Sequence, residues 1–121
     1  MAKTYRLATT QCNFVWPRKP EYNPYDERFR PESVPENIEE NIRLQLDLFE
    51  QAGKQGADLV VGAEDMMRLG HYGMYLDDRR IFTRLVETIP GPTSRRIARI
   101  ARKYRMYIVA CYPEKAGRRY Y

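Results

Sequence analysis

The chain has 121 residues, a formal net charge of +5 and 31% charged residues, which is the composition of a globular protein of one domain or part of one. Its longest apolar run, Met106–Tyr112, is far shorter than the roughly 20 residues of a membrane-spanning helix, and the N-terminus lacks the apolar core of a secretory signal. One His and two Cys exclude a four-ligand Cys/His zinc site and a framework of several disulfides.

Tyr5–Gln11 reads as a first strand. Residues 14–35 follow, with Pro17, Pro20, Pro24, Pro31 and Pro35 among Trp16, Tyr22, Tyr25 and Phe29. So many prolines forbid a regular element, and the aromatics predict an ordered loop packed on the surface. Ser33-Val34-Pro35-Glu36 fits a capping box, with Ser33 as N-cap and Glu36 at N3. The helix it opens runs to about Gln55, with Ile38, Ile42, Leu46, Phe49 and Ala52 at helical spacing. Leu44 and Leu48 widen that stripe, so the helix is expected to bury two sides. Gly53 and Gly56 close it.

Asp58–Gly62 is apolar without alternation, which predicts a strand covered on both faces. Residues 66–80 read as irregular, Ile81–Val86 as a short helix or turn, and Ile89-Pro90-Gly91-Pro92 as a break. A second helix starts at Thr93 or Ser94 and ends near Arg105. Ile97, Ala98, Ile100, Ala101 and Tyr104 share its apolar face. Met106–Tyr112 is the next buried strand, Pro113–Arg118 a turn, and Arg119–Tyr121 the beginning of another strand. Strands alternating with helices imply an α/β sheet built from right-handed crossovers.

Charge is unevenly spread. Residues 1–60 carry −2 and residues 61–121 carry +7. The densest part is Arg95, Arg96, Arg99, Arg102, Lys103 and Arg105. A nucleic-acid surface is one reading of such a cluster. The reading adopted is the solvated face of one amphipathic helix, with no nucleic-acid partner. Cys12 and Cys111, far apart in a chain without a secretion signal, are expected to be free thiols in the cytoplasm.

The glycines form neither G-x-G-x-x-G nor a P-loop. No nucleophile elbow and no metal cluster is present, so no cofactor and no metal are expected. His71 reads as a surface residue. Glu64 is the distinctive position, just past the carboxyl end of a predicted buried strand, where ligands bind in open α/β sheets. Desolvation there is expected to raise its pKa toward the range of a general base. The competing reading is that Glu64 and Asp65 cap or solvate the next loop. Cys12 and Cys111 fall near the same sheet region, and both read as small buried residues.

The pattern as a whole resembles the N-terminal part of the nitrilase superfamily of carbon–nitrogen hydrolases. Ala8-Thr9-Thr10-Gln11 is similar to that family's opening strand, and Asn37–Asn41 to the start of its first helix. Ala52-Gly53-Lys54-Gln55-Gly56-Ala57-Asp58-Leu59-Val60-Val61 is close to its A-x-x-G-A-D-L-V-V segment. Glu64 then matches the catalytic Glu, although Ala63 stands where the family usually has Pro. Ile89–Pro92, Ile97–Tyr104 and Tyr107–Ala110 with Glu114 match the following gap, helix and strand. Gly70-His71-Tyr72 is similar to the family's glycine-aromatic pair, which makes Tyr72 a substrate-binding candidate. The 14–35 segment reads as an insertion.

What this resemblance implies is the first part, residues 1–121, of a single four-layer α-β-β-α sandwich domain whose chain continues beyond Tyr121. It implies hydrolysis of a nitrile, amide or carbamoyl substrate by a Glu–Lys–Cys mechanism, with Glu64 as general base. The wide apolar stripe of the first helix makes a homodimer or higher homo-oligomer of the full-length protein the expectation. Lys115 and Cys111 come too early to match the family's Lys and Cys. The alternatives are a small flavodoxin-like binding domain without catalysis and a basic nucleic-acid module using Arg95–Arg105.

Overall fold

A short parallel sheet organises the chain. The computed structural model describes residues 4–11, 19–70, 72 and 79–121. Among these, Leu7–Thr9 (β1), Leu59–Val61 (β2) and Tyr107–Val109 (β3) pair in the order β1-β2-β3. The register aligns Ala8, Val60 and Ile108 across the sheet, and Leu7, Leu59 and Tyr107 beside them. The regular strands are shorter than the sequence reading. Flanking bonds extend them: Arg6 N donates to Asp58 Oδ2 at 2.8 Å before β2, and Thr10 N donates to Val61 O at 2.9 Å after β1.

Helix α1 (Val34–Lys54) joins β1 to β2. Helices α2 (Arg79–Leu85) and α3 (Pro92–Tyr104) precede β3. Because strand order follows chain order, the right-handed sense of parallel crossovers carries α1 and α3 to one face of the sheet. Ala8, Val60 and Ile108 point to that face and join the core with Ile38, Ile42, Leu46, Phe49, Ile97 and Ile100. On the opposite face Leu7, Tyr107 and Val109 are 71%, 77% and 50% exposed. Among the described residues β2 is therefore covered on one face only, where the sequence reading expected two. Two helices on one side cannot cover the other, and this one-sided arrangement also differs from a doubly wound, flavodoxin-like sheet.

The apolar stripe of α1 is buried as its spacing predicts, but its start differs. A 3₁₀ turn, Pro31–Ser33, runs directly into the helix, and Ser33 adopts helical angles. Its hydroxyl lies 2.6 Å from Arg30 O and 2.8 Å from Glu21 O. The expected capping box is absent because the side chain is spent on the preceding loop. That loop is ordered over residues 19–33, and Tyr22 is fully buried.

Helix α3 is capped from outside. The Glu87 carboxylate accepts from Thr93 N and from the Thr93 hydroxyl, both at 2.8 Å. Ser94 Oγ accepts from Gly91 N at 2.7 Å. After β3, Lys115–Ala116 (β4) and Arg119–Tyr120 (β5) form an antiparallel hairpin. The turn expected over Pro113–Arg118 thus includes a strand, tethered by Lys115 N donating to Glu87 O at 2.8 Å.

Candidate functional site

The chain leaves β2 as Gly62-Ala63-Glu64-Asp65, beside the exit of β3. Two backbone bonds pin this segment: Gly62 N to Val109 O at 2.8 Å and Met66 N to Cys111 O at 2.9 Å. Between them the backbone turns sharply. Asp65 and Arg68 hold φ of 43° and 61°, a region L-residues rarely occupy. Arg68 N donates to Asp65 O at 2.7 Å, and Leu69 N donates to Asp65 Oδ1 at 3.1 Å.

Burial of the next side chains holds the turn. Met66, Met67, Leu69 and Tyr72 are at most 1% exposed. Part of the segment read as irregular is therefore deeply anchored, through Met66, Met67, Leu69 and Tyr72. Glu64 stays on its outer side and is exposed. The desolvation expected of Glu64 is not supplied by the described residues, because the anchoring side chains all turn inward.

Glu64 lines an open cavity of about 530 Å³ with Asp65, Arg68, Cys111, Tyr112 and Tyr121. The size suits a small molecule, and the location is the carboxyl end of adjacent parallel strands. The wall combines two carboxylates, a guanidinium, an exposed thiol and two phenols. Burial raises the Tyr112 pKa. Cys111, read as a small buried residue, is exposed and faces the same cavity as Glu64, because β3 ends two residues earlier.

Tyr72 lies elsewhere. It is fully buried and does not line the cavity. Its hydroxyl accepts from Asn37 Nδ2 at 2.6 Å and donates to Tyr22 O at 2.8 Å. Burial, partly offset by the Asn37 bond, pushes its pKa up to about 12. The sequence reading missed the polar row behind it. Asn37, Asn41 and Gln45 are completely buried along α1. Asn41 Nδ2 lies 3.5 Å from Asn37 Oδ1, and Thr10 Oγ1 lies 3.1 Å from Gln45 Oε1. Their i, i+4, i+8 spacing beside the apolar stripe was the available signal. The row links the end of β1, helix α1 and the loop that carries Glu64.

Cys12 and His71 lie outside the described residues. Among the described residues, no group of three or more His, Cys, Asp or Glu is placed to hold a metal ion. No described helix is long and apolar enough to cross a membrane. No curated protein and no solved structure matches the chain significantly. A family model does: that of carbon-nitrogen hydrolases, over residues 7–121.

Proposed function

The chain belongs to the carbon-nitrogen hydrolase family, and from that membership we propose that Glu64 is the general base of a Glu–Lys–Cys site acting on a nitrile, amide or carbamoyl substrate. One observation carries the residue assignment: Glu64 lines the strand-end cavity on a turn pinned by two backbone bonds and a buried anchor. A base must be held within hydrogen-bond reach of the proton it takes, and this turn gives Glu64 a fixed origin.

In the proposed sequence Glu64 accepts the thiol proton as the sulfur attacks the substrate carbon. A Lys ammonium stabilises the oxyanion. With an amide or carbamoyl substrate Glu64 returns that proton to the departing ammonia or amine, and water resolves the thioester. A nitrile first gives a thioimidate, which takes up water before ammonia leaves. The bare face of the sheet supports the four-layer reading of the fold. Leu7, Val61, Tyr107 and Val109 offer an apolar surface of the kind a second sheet covers in a sandwich.

The test replaces Glu64 with Gln in a polypeptide that carries these residues together with the Lys and Cys. The expected outcome is a drop in kcat of about 10²–10⁴-fold with KM changed only a few-fold. Unchanged ammonia release from amides and nitriles overturns the assignment. A companion variant, Cys111→Ala, is expected to keep turnover within a few-fold. Complete loss there makes Cys111 the nucleophile and overturns the proposed order of residues.

A further inference from the structure

Helix α3 carries a second concave feature, away from the Glu64 cavity. Arg95, Arg99 and Arg102 stand at i, i+4 and i+7, so they follow one face of the helix. With Pro92 and Arg96 they line an open groove of about 520 Å³. As a solvated helix face these arginines require no partner; the structure adds that they converge on one groove.

Charge compensation around the helix is uneven. Arg96 Nη1 lies 2.9 Å from Glu39 Oε2, and Lys103 Nζ lies 2.8 Å from Glu50 Oε2. Helix α1 thus neutralises the cations that face it. Arg95, Arg99 and Arg102 are exposed. The first turn of α3 contains no acidic residue of its own, and the Glu87 carboxylate that caps the helix is spent on Thr93. Among the described residues, no carboxylate forms an ion pair with any of these three guanidinium groups.

We propose that this groove binds the phosphate backbone of a nucleic acid, without sequence preference. Guanidinium forks match phosphate oxygens in pairs. At about 1.5 Å of rise per residue, the three arginines stand at steps of roughly 6 and 4.5 Å, which suits a row of anions rather than a single one. The groove holds no Asn, Gln or aromatic side chain, so nothing in it reads a base edge or stacks on a base. A bilayer is a poorer match. The apolar side of α3, with Ile97 and Ile100, is spent in the core and cannot insert.

The experiment is fluorescence anisotropy of a mixed-sequence DNA duplex titrated with the protein across a salt series. Three neutralised phosphates predict a log–log salt slope of about −2.7, which is about a 40-fold loss of affinity between 50 and 200 mM salt. R95Q/R99Q/R102Q, three exposed changes checked for an unaltered thermal midpoint, is expected to abolish most of that slope. Lys103→Gln, whose cation is already paired, is expected to leave it unchanged. No binding at 50 mM salt overturns the proposal. So does a triple variant with the wild-type slope, or binding to polyglutamate or anionic vesicles as tight as binding to duplex.

Discussion

The two faces of the three-stranded sheet come from alternate residues of the same strands, and they behave as different materials. On one face Val60 is fully buried beneath α1 and α3, flanked by Ala8 and Ile108. On the other, the neighbouring Leu7, Val61, Tyr107 and Val109 stand in the open. Composition does not separate the faces, since both are apolar. Connectivity does: with strands laid down in chain order, each right-handed crossover returns on the same side. The candidate site lies where the faces meet. Its turn is anchored through the covered side, and its Glu64 is left exposed.

The sharpest contrast comes from truncating one large side chain on each side. Phe49 is fully buried on α1, and its ring lies 2.9 Å from where a Cβ would stand at Gly62. Phe49→Ala is expected to destabilise the fold by about 3–5 kcal/mol and to loosen the backbone just ahead of Glu64. Tyr107→Ala, on the bare face, is expected to cost no more than about 0.5 kcal/mol in residues 1–121 taken alone, where Tyr107 is exposed. Urea unfolding of both variants tests this. Equal losses would mean that the bare face is buried in solution, by a second copy or by another segment.

Tyr72 reports on the link between the covered side and the turn. Its folded pKa of about 12 stands above the ordinary value near 10. The native state therefore keeps a proton that the unfolded chain loses. The resulting stability is complete below about pH 10 and disappears as pH rises toward 12, at most about 2–3 kcal/mol. Tyr72→Phe removes this dependence. At neutral pH it also leaves Asn37 Nδ2 and Tyr22 O short of a partner, a cost of about 1–3 kcal/mol. The difference between wild type and variant is thus expected to be largest near pH 7 and to shrink toward pH 11. A constant difference across that range in denaturant titrations removes the titration argument and leaves only the lost hydrogen bonds.

Periodicity made α1 and α3 legible, because burial of an apolar stripe is a local pattern, and short apolar or β-prone runs marked the three parallel strands. Glu64 was legible as a strand-end carboxylate and through its matching flanks. What escaped was whatever depends on a partner distant in sequence. Ser33 has the right spacing for a cap, yet its hydroxyl is taken by Glu21 and Arg30. The carboxylate that does cap α3 belongs to Glu87, outside the helix. Asn37, Asn41 and Gln45 look like a wet helix edge, but all three are buried, Asn37 against the Tyr72 hydroxyl and Gln45 against Thr10. The bare face escaped for a related reason: an apolar strand signals what it is able to bury, not what the rest of the described chain covers.

Gly53 gives the smallest effect and the most direct probe of how the covered face closes. It lies inside α1, where Gly is about 0.5–1 kcal/mol worse than Ala, so propensity alone predicts that Gly53→Ala stabilises. A Cβ at this position, however, would overlap the Tyr104 ring. The Tyr104 hydroxyl is tied to Glu50, and Lys103 lies over its ring, so the ring cannot swing aside without losing those contacts. Overpacking of this kind costs about 1–3 kcal/mol, which outweighs the propensity gain. Gly53→Ala is expected to destabilise by about 1 kcal/mol. In a Tyr104→Ala background the same substitution meets no ring and is expected to stabilise. The double-mutant cycle by thermal or urea unfolding reads the sign directly. If Gly53→Ala stabilises in both backgrounds, the helices do not approach through this glycine, and the close contact of α1 with α3 has another cause.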